Sequence, residues 1–169
     1  MKKCNNMIIS VTDDDINSDG TFTFPTDIDI IGVSAFESCH KLKKLIIPNS
    51  VNKICHHAFK GCINLEEVVI PESISVINDY TFSECNNLKS VDIPTSVTEI
   101  CLGAFEACCN LEKVIIPGKI KHISSYTFVG CTNLKCVEID RYIHLSGPEL
   151  FTVGHQYIRP TVNKRGIFC

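Results

Sequence analysis

FESCHKLKKLIIPNSVNKICHHAF, residues Phe36 to Phe59, is the stretch that decides the fold, because the chain returns to its skeleton every 23 residues. Phenylalanine recurs at Phe36, Phe59, Phe82, Phe105 and Phe128. Cysteine follows three residues later each time, at Cys39, Cys62, Cys85, Cys108 and Cys131. Leucine comes three further on, at Leu42, Leu65, Leu88, Leu111 and Leu134. Pro48, Pro71, Pro94 and Pro117 come next, and a Val/Ile pair closes each unit (Val51/Ile54, Ile74/Ile77, Val97/Ile100, Ile120/Ile123). A fixed period of this length is the mark of a solenoid, in which each unit is one coil stacked on the last.

Three segments are read within a coil. Leu45-Ile46-Ile47 alternates and is rich in β-branched residues, which predicts a strand ending where Pro48 cannot donate to a ladder. Pro-x-Ser turns the chain, with Ser50, Ser73 and Ser96 placed to bond nearby backbone, and Val51 to Ile54 forms a second short strand. The segment from Ala58-Phe59 to Leu65 spaces apolar residues three apart, which predicts a helical turn of α or 3₁₀ type. Asn64, Asn87, Asn110 and Asn133 precede the leucine, where a left-handed residue or a side-chain bond to backbone would end that turn.

The motif AFxxCxNLxxVxIPxSVxxI resembles the BspA-like leucine-rich repeat. Ala58-Phe59, Cys62, Asn64-Leu65, Val68, Ile70-Pro71 and Ser73-Ile74-x-x-Ile77 match it position by position, and the likeness runs from about residue 22 to residue 139. It implies an α/β solenoid of parallel strands and short helical or 3₁₀ turns, right-handed, with about five to six coils. The expected boundaries are a capping segment over residues 1–20, a solenoid over 21–151, and a C-terminal cap or flexible tail over 152–169. Thr21 to Ile31 reads as a truncated first coil, with Phe22, Phe24, Pro25, Ile28 and Ile31 each 23 residues before Leu45, Ile47, Pro48, Val51 and Ile54. Beyond Ile139 the pattern decays: Asp140 replaces the proline, while Ile143 and Phe151 still hold columns. The tail sets Tyr157, Ile158, Ile167 and Phe168 among His155, Arg159, Lys164 and Arg165, and could shield the last open strand edge.

Composition narrows the function. The 169 residues fit one domain, and a net charge of −3 offers no basic field for nucleic acid or anionic lipid. Five of the eleven cysteines share one column, where each should pack on the next as a small buried hydrophobe rather than join a disulfide framework. MKKCNNMIISVTDDD has no long apolar core and no cleavage site, so no signal peptide is expected, and no run reaches the length of a membrane span. Reduced thiols in a cytoplasmic chain are the expectation.

Chemistry is not evident. No GxSxG, GxxxxGK[ST] or GxGxxG occurs, and the histidines (His40, His56, His57, His122, His144, His155) show no zinc spacing. His56-His57 reads as surface variation, and Asp13-Asp14-Asp15 lacks the Gly and Glu that a calcium loop places at fixed offsets. No catalytic residue, metal or cofactor is expected, and the chain is read as a non-enzymatic protein-interaction module.

Alternation along the first strand turns Leu45, Val68, Val91, Val114, Val137 and Ile47, Ile70, Ile93, Ile116, Ile139 inward. It turns two columns outward: Lys44, Glu67, Ser90, Lys113, Cys136, and Thr23, Ile46, Val69, Asp92, Ile115, Glu138. An apolar stripe of Ile46, Val69 and Ile115, broken by Asp92 and rimmed by Lys44, Glu67, Lys113 and Glu138, has two readings: β-propensity alone, which favours Val and Ile even on an exposed strand face, or a partner-binding surface, which is the expectation carried forward. Two roles suit it: an intracellular scaffold or regulator, by analogy with repeat proteins that govern phosphatases or signalling complexes, or a surface adhesin, as bacterial members of the family imply. The stripe and the tail are also the expected routes to a homo-oligomer.

Overall fold

The computed structural model describes residues 1–139 together with the backbone of strands His144–Leu145, Thr152–Val153, Gln156–Tyr157 and Ile167–Phe168. The chain is a β-solenoid of about six coils with two columns of short parallel strands. The first column holds Lys44–Ile46, Glu67–Val69, Ser90–Asp92, Lys113–Ile116 and Cys136–Ile139. The second holds Ile30–Ile31, Lys53–Ile54, Val76–Ile77, Glu99–Ile100, His122–Ile123 and His144–Leu145. Pairing runs one 23-residue repeat out of step, Lys44 with Glu67 and Val76 with Glu99, so identical positions stack, except at the last pairing, where Ile123 meets Leu145 at an offset of 22. The strands stay short because a proline without an N–H stands just beyond the first strand of each of four coils, Pro48, Pro71, Pro94 and Pro117.

Each strand column is interrupted once. No ladder joins Glu67–Val69 to Ser90–Asp92, and none joins Lys53–Ile54 to Val76–Ile77. At the second gap the Asn78 side chain donates its Nδ2 to the Ile54 carbonyl at 2.6 Å.

The third side of the coil differs from expectation. In place of helical turns it is a run of β-turns, and the one helix among the described residues is a 3₁₀ turn at Asp13–Asp15. The reason is backbone geometry. Two residues of each coil, four apart, lie in the left-handed region: Ser34 and Ser38, His57 and Gly61, Tyr80 and Glu84, Gly103 and Ala107, Tyr126 and Gly130. A right-handed helix cannot pass through them. Alternate N–H groups close i→i−3 turns, as Glu37 does to Ser34 and Cys39 to Phe36. The others reach forward to the next coil: His57 to Asp79, Phe59 to Thr81 and Gly61 to Ser83 at 2.9–3.0 Å. The same ladder recurs from Ser34 to Ala107 without a break.

Inside, Phe59, Phe82, Phe105 and Phe128 stack with ring planes within 9° and centroids 5.4–5.8 Å apart. The stack ends on Phe36, which meets Phe22 of the truncated coil edge to face at 4.8 Å. The column cysteines pack there as buried hydrophobes, and each thiol also donates to a main-chain carbonyl of the preceding coil. Cys62 reaches Phe36 O (3.1 Å), Cys85 reaches Phe59 O (3.4 Å), Cys108 reaches Phe82 O (3.1 Å) and Cys131 reaches Phe105 O (3.2 Å). Burial pushes the Cys39 thiol up to about 12 and raises Cys62, Cys85 and Cys108 as well.

The asparagines also depart from expectation. None of Asn64, Asn87, Asn110 and Asn133 is left-handed. They form a side-chain ladder, each Nδ2 donating to the Oδ1 of the preceding asparagine at 3.2 Å, with Asn64 closing on the His40 carbonyl. Ser96 donates not to its own turn but to Ile74 O one coil back, at 2.6 Å.

Both ends of the solenoid carry antiparallel pairings. Lys2–Cys4 pairs with Met7–Ser10, which continues in parallel onto Ile30–Ile31, so an exposed strand with two lysines forms that edge. At the other end Ile167–Phe168 pairs with Val137 and Glu138. The expectations for Asp140, Ile143 and Phe151 lie outside the described residues. So do those for the side chains of Cys136, Ile139, His144 and the tail.

A candidate protein-binding face on the first strand

The pleat decides which side chains of the first column face solvent. Leu45, Val68, Val91, Val114 and Val137 are buried, so their neighbours along the strand project outward. Ile46, Val69 and Ile115 are 55%, 44% and 41% exposed, among the most exposed large apolar side chains described. Parallel register sets Ile46 beside Val69, and Ile115 between Asp92 and Glu138. Consecutive rows are about 4.8 Å apart.

The rim charges are arranged in closed pairs. Lys44 Nζ lies 2.9 Å from Glu67 Oε2 directly across the ladder. Lys113 Nζ lies 2.7 Å from Glu138 Oε1, a diagonal contact, since the register sets Lys113 opposite Cys136. One position nearer the turn, Lys43, Glu66, Lys89, Glu112 and Lys135 alternate in sign, and Lys135 reaches Glu112 at 3.0 Å. Within the two outward columns Asp92 is the exception. It is exposed, and among the described residues no cation forms an ion pair with it. The eight expected face residues thus share one surface: two apolar patches, two closed ion pairs and one open carboxylate.

Elsewhere the chemistry is structural. His56 Nδ1 stands 3.2 Å from Asp79, and His57 stacks on Tyr80 with centroids 5.2 Å apart. Asp15 accepts from the Thr12 N–H and Asp13 accepts from Lys41 N, which commits two of the three adjacent aspartates to the backbone. Among the described residues no group of three His, Cys, Asp or Glu could hold a metal ion, and no helix is long and apolar enough to cross a membrane. Reading the residues missed the open state of Asp92. The signal was there, in the one acidic residue breaking an apolar column, but its lack of a partner depends on the diagonal choice made by Lys113.

Known proteins share this architecture. The crystal structure of a leucine rich cell surface protein from Faecalibacterium prausnitzii A2-165 is 32% identical with a TM-score of 0.68, over 79% of this chain and 34% of that one. A T. pallidum leucine rich repeat protein is 29% identical with a TM-score of 0.66, over 71% of this chain and 57% of that one. The pneumococcal vaccine antigen PcpA, at 20% identity and a TM-score of 0.71 over 88% of this chain and 35% of that one, shares the fold. The chain therefore spans between about a third and three fifths of the length of these proteins. No curated protein sequence is a significant match. The family description "BspA type Leucine rich repeat region" matches residues 17–143 in six copies, and the chain belongs to that family.

Proposed function

We propose that the chain is a non-catalytic protein-binding module displayed at a cell surface, which holds its partner on the first-strand face. The observation that carries the binding reading is the exposed Ile46, Val69 and Ile115 stripe between self-neutralised ion pairs. Apolar side chains held in fixed register gain from being covered, and closed pairs at the rim need not be broken to cover them. The surface reading, which replaces the cytoplasmic expectation, draws on the 32% identical relative described as a cell surface protein.

The test compares the chain with its Val69→Lys variant as immobilised bait in an extract of proteins from the cell's surroundings. A partner retained by the chain and lost with the variant supports the reading, because covering an unpaired ammonium is costly. Equal retention by both removes the face from consideration. Protease treatment of intact cells that removes the chain supports display, and full protection contradicts it. The intracellular scaffold remains a second reading, favoured by the free thiols of exposed Cys4 and half-buried Cys55, Cys101 and Cys109.

A further inference from the structure

The face described above has an uneven charge balance, and that imbalance describes its partner. Lys44 with Glu67 and Lys113 with Glu138 cancel within the face. Within the two outward columns of the described face, only Asp92 has a charge that no ion pair closes, and it shares its column with Ile46, Val69 and Ile115. Any occupant that covers both apolar patches must also cover this carboxylate. A buried carboxylate without a partner is strongly unfavourable, whereas one met by a guanidinium or ammonium gains charge-assisted hydrogen bonds.

A second copy of the chain does not meet this demand. Two strand faces apposed about a two-fold axis parallel to the strands present the same column in opposite directions, and about an axis along the column they set each residue, Asp92 included, beside its own mate. In the register that sets Ile46 on Ile115, Asp92 lies on Val69. In the register that sets Val69 on Ile115, Asp92 lies on its own symmetry mate. Both bury an acid without a base.

From this we infer that the occupant is an extended segment of another protein with an apolar residue, then a Lys or Arg, then an apolar residue at alternate positions. The inference rests on the strand face being the binding surface. Spacing supports it. The coils stay stacked on the turn side across the Val69-to-Asp92 step, Phe59 N–H to Thr81 O at 2.9 Å, so with rows about 4.8 Å apart a point midway between Ile46 and Val69 lies about 7 Å from Asp92, and Ile115 lies about 5 Å beyond. Same-side residues of an extended chain repeat every 6.6–6.8 Å or so, which sets successive side chains over the first patch, the carboxylate and the second patch within reach of their own length.

The test is selection from a library of displayed random peptides, with the full chain, Asp92→Asn, Asp92→Lys and Val69→Lys as separate baits. The chain is expected to enrich apolar-x-Lys/Arg-x-apolar sequences, Asp92→Asn to lose the central cation preference by about tenfold, and Asp92→Lys to select an acidic residue there. Enrichment of apolar sequences that is lost with Val69→Lys yet indifferent to residue 92 overturns the inference and leaves the face as the binding surface. Enrichment untouched by Val69→Lys overturns the binding face and the inference with it. Asp92 is exposed, so its variants report on recognition and not on folding.

Discussion

The turn column and the strand columns are built from the same 23-residue unit, yet they hold the coils together differently. The turn column repeats a forward hydrogen bond at every second residue, and beneath it lie the stacked phenylalanines and the thiol column. The strand columns are two to four residues long per coil, and each is interrupted once. The difference teaches a division of labour. One side of the coil carries the cohesion, and the outward positions of the first strand are left able to vary for recognition.

The largest break in that comparison comes from alkaline pH, because the buried thiols belong to the turn column. Unfolded thiols ionise near 8.5 or so, while burial holds Cys39 up to about 12 and raises Cys62, Cys85 and Cys108. Below the unfolded value both states are protonated and stability is at its full level. Above it the unfolded chain releases protons that the folded chain keeps, so stability falls by up to about 1.4 kcal/mol per pH unit for each thiol. Urea midpoints should drop steeply between about pH 8.5 and pH 11, and Cys85→Ala should make the drop shallower. A flat profile would show that the thiols are accessible.

Phe82→Ala removes the middle of the ring stack and is expected to cost about 3–5 kcal/mol in urea unfolding. A loss under about 1 kcal/mol would mean the stack is not where cohesion lies. Gly103→Ala comes next. Gly103 has φ 58°, and an added Cβ would lie 2.4 Å from Tyr80 Cε1, so a cost of at least about 1–2 kcal/mol is expected. Gly118→Ala, in an exposed turn next to the first strand and without a positive φ, should be close to neutral in the same assay. A comparably small effect belongs to the recognition face. Val69→Ala is expected to change stability by no more than about 0.5 kcal/mol, and a larger loss would make the stripe part of the core.

The period, the core columns and the outward stripe were legible in the residues because five copies repeat them and strand alternation admits one reading. The turn column was not. Its left-handed positions hold Ser34, His57, Tyr80, Gly103 and Tyr126 in one row, and Ser38, Gly61, Glu84, Ala107 and Gly130 in the other. Glycine marks three of those ten, so the signal for a positive φ is diluted. Apolar residues three apart suit a 3₁₀ turn and a chain of β-turns equally, and only the forward hydrogen bonds separate the two. The asparagine ladder was hidden for a related reason. Asn64, Asn87, Asn110 and Asn133 are good turn residues on their own, and their bonds to one another appear only once coils are stacked in register. On the face, the eight side chains were placed by alternation, while the pairing of Lys113 with Glu138, which leaves Asp92 open, needed coordinates.

Native-state hydrogen exchange tests the division of labour most directly. The N–H groups of Phe59, Phe82 and Phe105 donate forward to Thr81, Ala104 and Thr127 at 2.8–3.0 Å, and should exchange only through global unfolding. Amides of Glu67–Val69 and Ser90–Asp92 that face each other across the interrupted ladder should exchange through smaller openings, well ahead of the turn column. Equal protection on both sides, or faster exchange at the phenylalanine amides, would contradict the claim that the turn column holds the coils.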